Sequence, residues 1–224
     1  MNAKQIKSFS MRENKERKTI KDGSEILESI ELALNSNMSA YGFTMGNVSL
    51  IQIVEMICDK FGGNFDLTTC IWSANHVDIS RLSDLKESGL ISNARFVIDP
   101  SAYTRKYDAI ECLYKRFGEE SVRSMPTHAK FVTLKNEKHE IVITSSMNFT
   151  HNPRIEQYEV TECKNTLELM ENMVDSAFNL YASDENFSGQ AMSKFKKIRE
   201  AIKDEQEQDD FDIALDLDFL SSEF

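Results

Sequence analysis

The sequence predicts an α/β fold, a mixed β-sheet flanked by helices, and three observations carry that reading. From residue 48 onward, helical and extended patterns follow one another in the order α-β-α-β-α-β-β-β-α-α. Two of the extended runs, KFVTL (130–134) and EIVITSS (140–146), are separated only by KNEKH, a polar link short enough for a hairpin. The 224 residues, 41% hydrophobic and 28% charged, suit one globular domain of moderate size with a real core.

Residues 1–22 read as a basic, mobile N-terminal arm, in which seven Lys/Arg stand against Glu13 and Glu16. The body, 23–187, opens on SEILESIELALNSN (24–37), a short helix, followed by the turn-rich link YGFTMGN. VSLIQIVEMICDKFGG (48–63) is the strongest helix pattern: Leu50, Val54, Ile57 and Phe61 recur at helical spacing, Ser49 and Gln52 fit a capping box, and Gly62-Gly63 stop it. DLTTCIWS (66–73) is rich in β-branched and aromatic residues and reads as a strand, DISRLSDLKESGL (78–90) as a helix ending near Gly89, and ARFVID (94–99) as a strand before Pro100. YTRKYDAIECLYKRFG (103–118) is a helix closed by a glycine. After the hairpin, EQYEVTE (156–162) alternates as a third strand of the series, and TLELMENMVDSAFNLYA (166–182) is a helix with Leu169, Met173, Ala177 and Leu180 on one face. A last helix over 188–204 precedes an acidic tail, 205–224.

Charge is divided along the chain. The net value of −11 conceals a +5 block over 1–21 and a −9 block over 204–224, the latter without a basic residue. No stretch approaches the roughly 18 uncharged apolar residues of a membrane span, and MNAKQIKSFSMRENKERK has no apolar core for a secretory signal. Cys58, Cys70, Cys112 and Cys163 are dispersed, form no CxxC and read as reduced thiols of a cytoplasmic protein. No ligand spacing among Cys and His matches a zinc site.

Chemistry converges near the hairpin. THAKFVTL (127–134) places His128 and Lys130 two apart at the head of an alternating run, so both would project from one strand face. Two groups able to carry positive charge share that surface comfortably when an anion lies over them, and a phosphate fits. Ser146 and Asn148, at the end of the paired strand, add neutral donors, and Glu156 precedes the next strand. Histidine serves as nucleophile or acid/base near neutral pH, lysine as a point charge on phosphate, and a carboxylate can fix an imidazole tautomer. These five residues could form a phosphoryl-transfer site. His76, His139 and His151 show no partner pattern and read as incidental, although His151 is close to Asn148 and in a position to line the site. Trp72 reads as core, or as an aromatic at a strand end that stacks on a base.

THAKFVTL, ITSSMNFT and RIEQYEV together resemble the single-motif branch of the phospholipase D superfamily, whose signature is H-x-K, a downstream G-S-x-N and a later acidic residue. The resemblance is best over 127–162, and the α/β pattern of about 40–182 is compatible with the same fold. Two positions depart from it: the family's Asp five residues after the lysine is Lys135 here, and the glycine before Ser146 is Ser145. The resemblance implies a mixed sheet flanked by helices with half an active site per chain, completed in a homodimer. It implies a nucleic-acid phosphodiesterase that needs no metal or cofactor. His128 of one copy would attack phosphorus to give a phosphohistidine and the partner's His128 would protonate the leaving oxygen. Lys130, Ser146 and Asn148 would hold the phosphoryl group, and Glu156 would orient the imidazole. Nucleic acid, DNA or RNA, and a second copy of the chain are the implied partners, with no membrane.

Two alternatives are of other classes. One is a catalytically silent module that binds nucleic acid and recruits a protein partner through its tail; the other is a phospholipid-acting enzyme, which a single motif without an amphipathic membrane helix disfavours. The tail DDFDIALDLDFLSSEF mixes Asp with Phe and Leu and looks like the acidic, Phe-terminated tails of some single-stranded DNA-binding proteins, which compete with nucleic acid and recruit partners. A solubilising tail is the plainer reading.

Overall fold

The computed structural model describes residues 9–11, 23–102, 107–150 and 153–180. The chain divides into two units, Met1–Ala182 and Ser183–Phe224. The predicted helix over 188–204 and the acidic tail belong to the second unit. They lie outside the described residues, and so, in the first unit, do His151 and most of the basic arm.

Among the described residues, the first unit has eight strands: β1 (Phe9–Met11), β2 (Ser39–Thr44), β3 (Phe65–Ile71), β4 (Ile91–Ile98), β5 (Val122–Ser124), β6 (Phe131–Lys135), β7 (Glu140–Ser145) and β8 (Glu156–Glu162). They form one sheet in the order β1-β2-β8-β7-β6-β3-β4-β5. β3, β4 and β5 run parallel, and every other neighbouring pair is antiparallel, so the sheet is mixed as the sequence predicts. The helices are α1 (Gly23–Asn35), α2 (Leu50–Lys60), α3 (His76–Glu87), α4 (Tyr107–Phe117) and α5 (Lys164–Leu180).

The central strands are buried along nearly their whole length. β6 shows four consecutive buried residues, Phe131 to Leu134, and β3 five, Leu67 to Ile71. That is the pattern of strands covered on both faces. Below α2, the predicted stripe of Leu50, Val54, Ile57 and Phe61 is buried, together with Ile51, Ile53 and Cys58. Gln52 Oε1 accepts from the Ser49 backbone N–H at 2.9 Å, one half of the predicted capping box. Gly62 and Gly63 end the helix at φ of 93° and 63°, where a Cβ is costly.

Three local readings are corrected. YGFTMGN is not a link: Ser39–Thr44 is strand β2, paired with β8. Its buried positions are Ala40, Gly42 and Thr44, small residues that give no apolar alternation, while the larger Tyr41 and Phe43 lie on the less buried face. The short strands β1 and β5 are likewise absent from the sequence reading, and three residues carry too little periodicity to signal a strand. In α5 the apolar face is displaced from the one expected: Leu169 is 70% exposed, whereas Leu167, Val174 and Ala177 are buried. Val174 and Ala177 pack on Cys70, Val97 and Phe131, with Met125, Met170, Met173 and Phe178 around them. Arg95 of β4 then pairs with Glu171 and Asp175 and fixes the helix on the sheet.

Candidate active site

The sheet topology gathers the candidate residues at one end. β6 and β7 are antiparallel, so the entry to β6 and the exit from β7 lie side by side, and β8 begins there too. β3 runs antiparallel to β6 and parallel to β4 and β5, so those three strands finish at the same end. The carboxyl ends of parallel strands are the usual location of ligand sites in open α/β sheets.

His128 and Lys130 belong to the segment leading into β6, which starts at Phe131, and not to the strand itself. Ladder bonding reaches one residue further, since Lys130 O accepts from Ser145 N at 3.2 Å. His128 is exposed. Lys130 Nζ donates to His128 O at 3.2 Å, which ties the ammonium to the backbone that carries the imidazole.

An anchor not seen in the sequence holds this segment. Thr127 N donates to Asp99 Oδ2 at 3.0 Å, and the other carboxylate oxygen, Oδ1, accepts from Ser101 N at 2.9 Å and Ser101 Oγ at 2.5 Å. Thr127 Oγ1 accepts from Ala129 N at 3.1 Å and lies 3.3 Å from Cys70 Sγ. Met125 N completes the tether by donating to Ile98 O at 3.1 Å. Burial pushes the Cys70 thiol up from its ordinary value, so it stays protonated and acts as packing beside Thr127. The clue available in the sequence was slight: Asp99 closes a strand before Pro100, and Thr127 begins the THAK stretch.

Across the hairpin, Asn148 Oδ1 accepts from Trp72 N at 3.0 Å and Ser73 N at 3.2 Å. Only a carbonyl oxygen can serve two backbone donors, so the amide orientation is fixed and Nδ2 is the donating side. Ser146 is exposed; its hydroxyl donates to Glu156 Oε2 and accepts from Gln157 N at 2.9 Å. Glu156 is thus joined to Ser146, and among the described residues no hydrogen bond links it to His128. Ser145 Oγ donates to Gln157 O at 2.7 Å and accepts from Met147 N at 2.9 Å. The Trp72 indole lies beside His128, ring centroids 6.3 Å apart and planes tilted by 46°.

The other histidines sort by position. His139 stands at the opposite end of the hairpin, where Nδ1 is 3.1 Å from Glu162 Oε1 and the ring meets Phe61 edge-on. His76 is exposed at the start of α3, which follows β3 at the site end. Among the described residues no group of three or more His, Cys, Asp or Glu is placed to hold a metal ion.

Fold and site together define an α/β mixed-sheet protein with His128, Lys130, Ser146 and Asn148 arranged at the open end of a hairpin. No family model matches the chain, and no curated protein does. Among solved structures the chain is similar to the phospholipase D family member Nuc from Salmonella typhimurium, at 16% identity and a TM-score of 0.46, over 63% of this chain and 93% of that one. It is also similar to NucT from Helicobacter pylori, at 16% identity and a TM-score of 0.40, over 51% of this chain and 79% of that one. A third similarity is to polyphosphate kinase from Porphyromonas gingivalis, at 12% identity and a TM-score of 0.46, over 67% of this chain and 27% of that one. These are likenesses of fold, and the chemistry of this chain is argued from its own residues.

Proposed function

We propose that the chain is a phospholipase D-like phosphodiesterase acting on nucleic acid, with its active site completed by a second copy. The observation that carries this is the convergence of the His128–Lys130 segment with Ser146 and Asn148 at the end of the sheet where β3, β4 and β5 finish. His128 Nε2 or Nδ1 attacks phosphorus; a P–N bond forms as the P–O bond to the leaving group breaks, and the partner's His128 gives that oxygen its proton. The partner's imidazole, now neutral, then takes a proton from water, whose oxygen attacks phosphorus as the P–N bond breaks and frees His128. Lys130 and Asn148 Nδ2 balance the charge on the phosphoryl oxygens. Glu156 acts through Ser146, whose hydroxyl it orients.

Two exposed apolar side chains at this end, Val77 at 66% and Ile155 at 56%, suit contact with a second copy. Among the described residues no helix is long and apolar enough to cross a membrane. The basic arm and acidic tail are assigned to phosphate-backbone contact and to competition with nucleic acid or recruitment of a partner, respectively. A silent nucleic-acid-binding module is the second reading, favoured by the engagement of Glu156 with Ser146 in place of His128.

The test incubates purified protein with single- and double-stranded DNA and with RNA in excess EDTA, wild type beside His128→Ala. Cleavage by wild type alone is expected. Equal cleavage by both proteins rejects the mechanism, and no cleavage with binding retained moves the assignment to the silent module.

A further inference from the structure

We propose that Arg154 holds a phosphate flanking the scissile one, so that the site takes a polyanion of consecutive phosphodiesters in preference to an isolated diester. The inference rests on the nucleic-acid reading above and names the feature of the substrate that the site reads. Arg154 is exposed and stands two residues before β8. Other arginines are already engaged: Arg81 by Glu55, Arg95 by Glu171 and Asp175, and Arg123 by backbone carbonyls. Among the described residues no carboxylate or carbonyl engages Arg154 in this way. The nearest carboxylate along the chain, Glu156, accepts from the Ser146 hydroxyl instead.

The sheet sets where this cation stands. β6 and β8 flank β7 and run antiparallel to it, so both enter the sheet from the site end. Phe131 and Glu159 both pair with Thr144. Counting back three residues from each sets His128 level with Glu156, and Arg154 is two residues further out. Two strand spacings, about 10 Å, separate the two segments. With the imidazole on one side and a long guanidinium side chain on the other, phosphates one or two nucleotides apart span that gap. A chain of net charge −11 repels a polyanion at long range, so recognition depends on cations placed where the backbone passes. A guanidinium suits that task, because it stays charged and offers two parallel N–H groups to one phosphate.

Full-length protein carrying His128→Ala, to prevent turnover, is titrated in EDTA against an end-labelled oligothymidylate over a series of salt concentrations, with binding followed by anisotropy. Adding Arg154→Ala is expected to lower the slope of log K against log salt by about 0.7, the share of one phosphate contact on a single strand, so that the loss in affinity grows about 5-fold with each tenfold fall in salt. Arg154→Lys should restore most of the slope, since the charge is what displaces the counterion. Arg116→Ala is the control. That arginine is also exposed, but it stands at the end of α4, whose last residue, Phe117, meets Lys86 in the last turn of α3, away from the site. Its slope should be unchanged. With His128 intact, Arg154→Ala should raise KM for the oligothymidylate and leave cleavage of a chromogenic phosphodiester, which has no flanking phosphate, as in wild type. An unchanged slope, or an equal fall in Arg116→Ala, overturns the clamp. Equal damage to the chromogenic substrate overturns the flanking assignment. His128-dependent cleavage with an unchanged slope sinks the clamp and spares the phosphodiesterase reading, whereas a lowered slope without cleavage does the reverse. Absence of both binding and cleavage removes both.

Discussion

Asp99→Asn separates an anchor for the His128 segment from a merely structural carboxylate. Asp99 receives three donors, Ser101 N and Oγ on one oxygen and Thr127 N on the other. The asparagine is isosteric but exchanges one oxygen for an NH2 group, so one backbone N–H would face another donor. Losing one hydrogen bond to a charged acceptor costs about 1.5–3 kcal/mol. For a body of this size, 1 kcal/mol corresponds to about 2–4 °C in Tm, giving an expected fall of about 3–12 °C. Because the Thr127 bond lies one residue from His128, the larger consequence is for turnover. A nucleophile displaced by a fraction of an ångström to 1 Å is expected to lower kcat by about 10- to 100-fold while KM changes little. The assay is cleavage of a chromogenic phosphodiester at a temperature where thermal melting shows the variant folded. A variant with lowered Tm and wild-type kcat would refute the positioning argument, since the carboxylate would then support the fold without holding His128.

Two further outcomes test the packing and the thiols. Leu167→Ala, at a residue 1% exposed, is expected to cost about 2–5 kcal/mol in urea unfolding, while Leu169→Ala, at 70% exposure, should stay within about 0.5 kcal/mol; the reverse order would restore the face expected from the sequence. The Thr166 hydroxyl, 3.1 Å from Cys163 Sγ, holds that thiol below its ordinary value, whereas burial, then the charge of Glu55, pushes Cys58 up to about 12. A lowered value means more thiolate at any given pH below it, so iodoacetamide at pH 8 should label Cys163 well before Cys58 by peptide mass, and Thr166→Ala should slow Cys163.

What was legible in the sequence is what local periodicity and spacing record. Leu50, Val54, Ile57 and Phe61 declare α2 because the helix meets one core along one stripe, and the two glycines after it need φ values few other residues accept. His128, Lys130, Ser146, Asn148 and Glu156 could be grouped because a hairpin returns its two ends to the same place, a topological consequence of a short link. β2 was hidden because its buried positions are Ala40, Gly42 and Thr44. The register of α5 was ambiguous because Leu167, Leu169, Met170 and Met173 allow more than one stripe, and the choice was made by Cys70, Val97 and Phe131 on the sheet. Asp99 could not be reached by spacing at all. Its place arises where β3 and β4 finish beside the entry to β6, a contact between segments far apart in the chain.

The two departures from the family signature now carry different weight than their sequence positions suggest. Lys135 is five strand residues beyond Lys130, about 16 Å away at the usual rise, and pairs with Glu140 at 3.1 Å across the opposite end of the hairpin. An aspartate missing there withdraws nothing from a phosphate at the open end. Ser145 is nearer, but it needs no glycine backbone: among the described residues the non-glycine positions of positive φ are Asn37 and Asn64. Its hydroxyl is bound to Gln157 O and Met147 N, which ties the end of β7 to β8 next to Ser146. Neither change removes Lys130 or the Asn148 amide from the anion-suited surface. Whether the site turns over then depends on a second imidazole across the phosphodiester. In the proposed mechanism that group is the partner's His128, so cleavage and oligomeric state must be measured on the same sample: activity from a strictly monomeric species would exclude the shared site even if His128 proved essential.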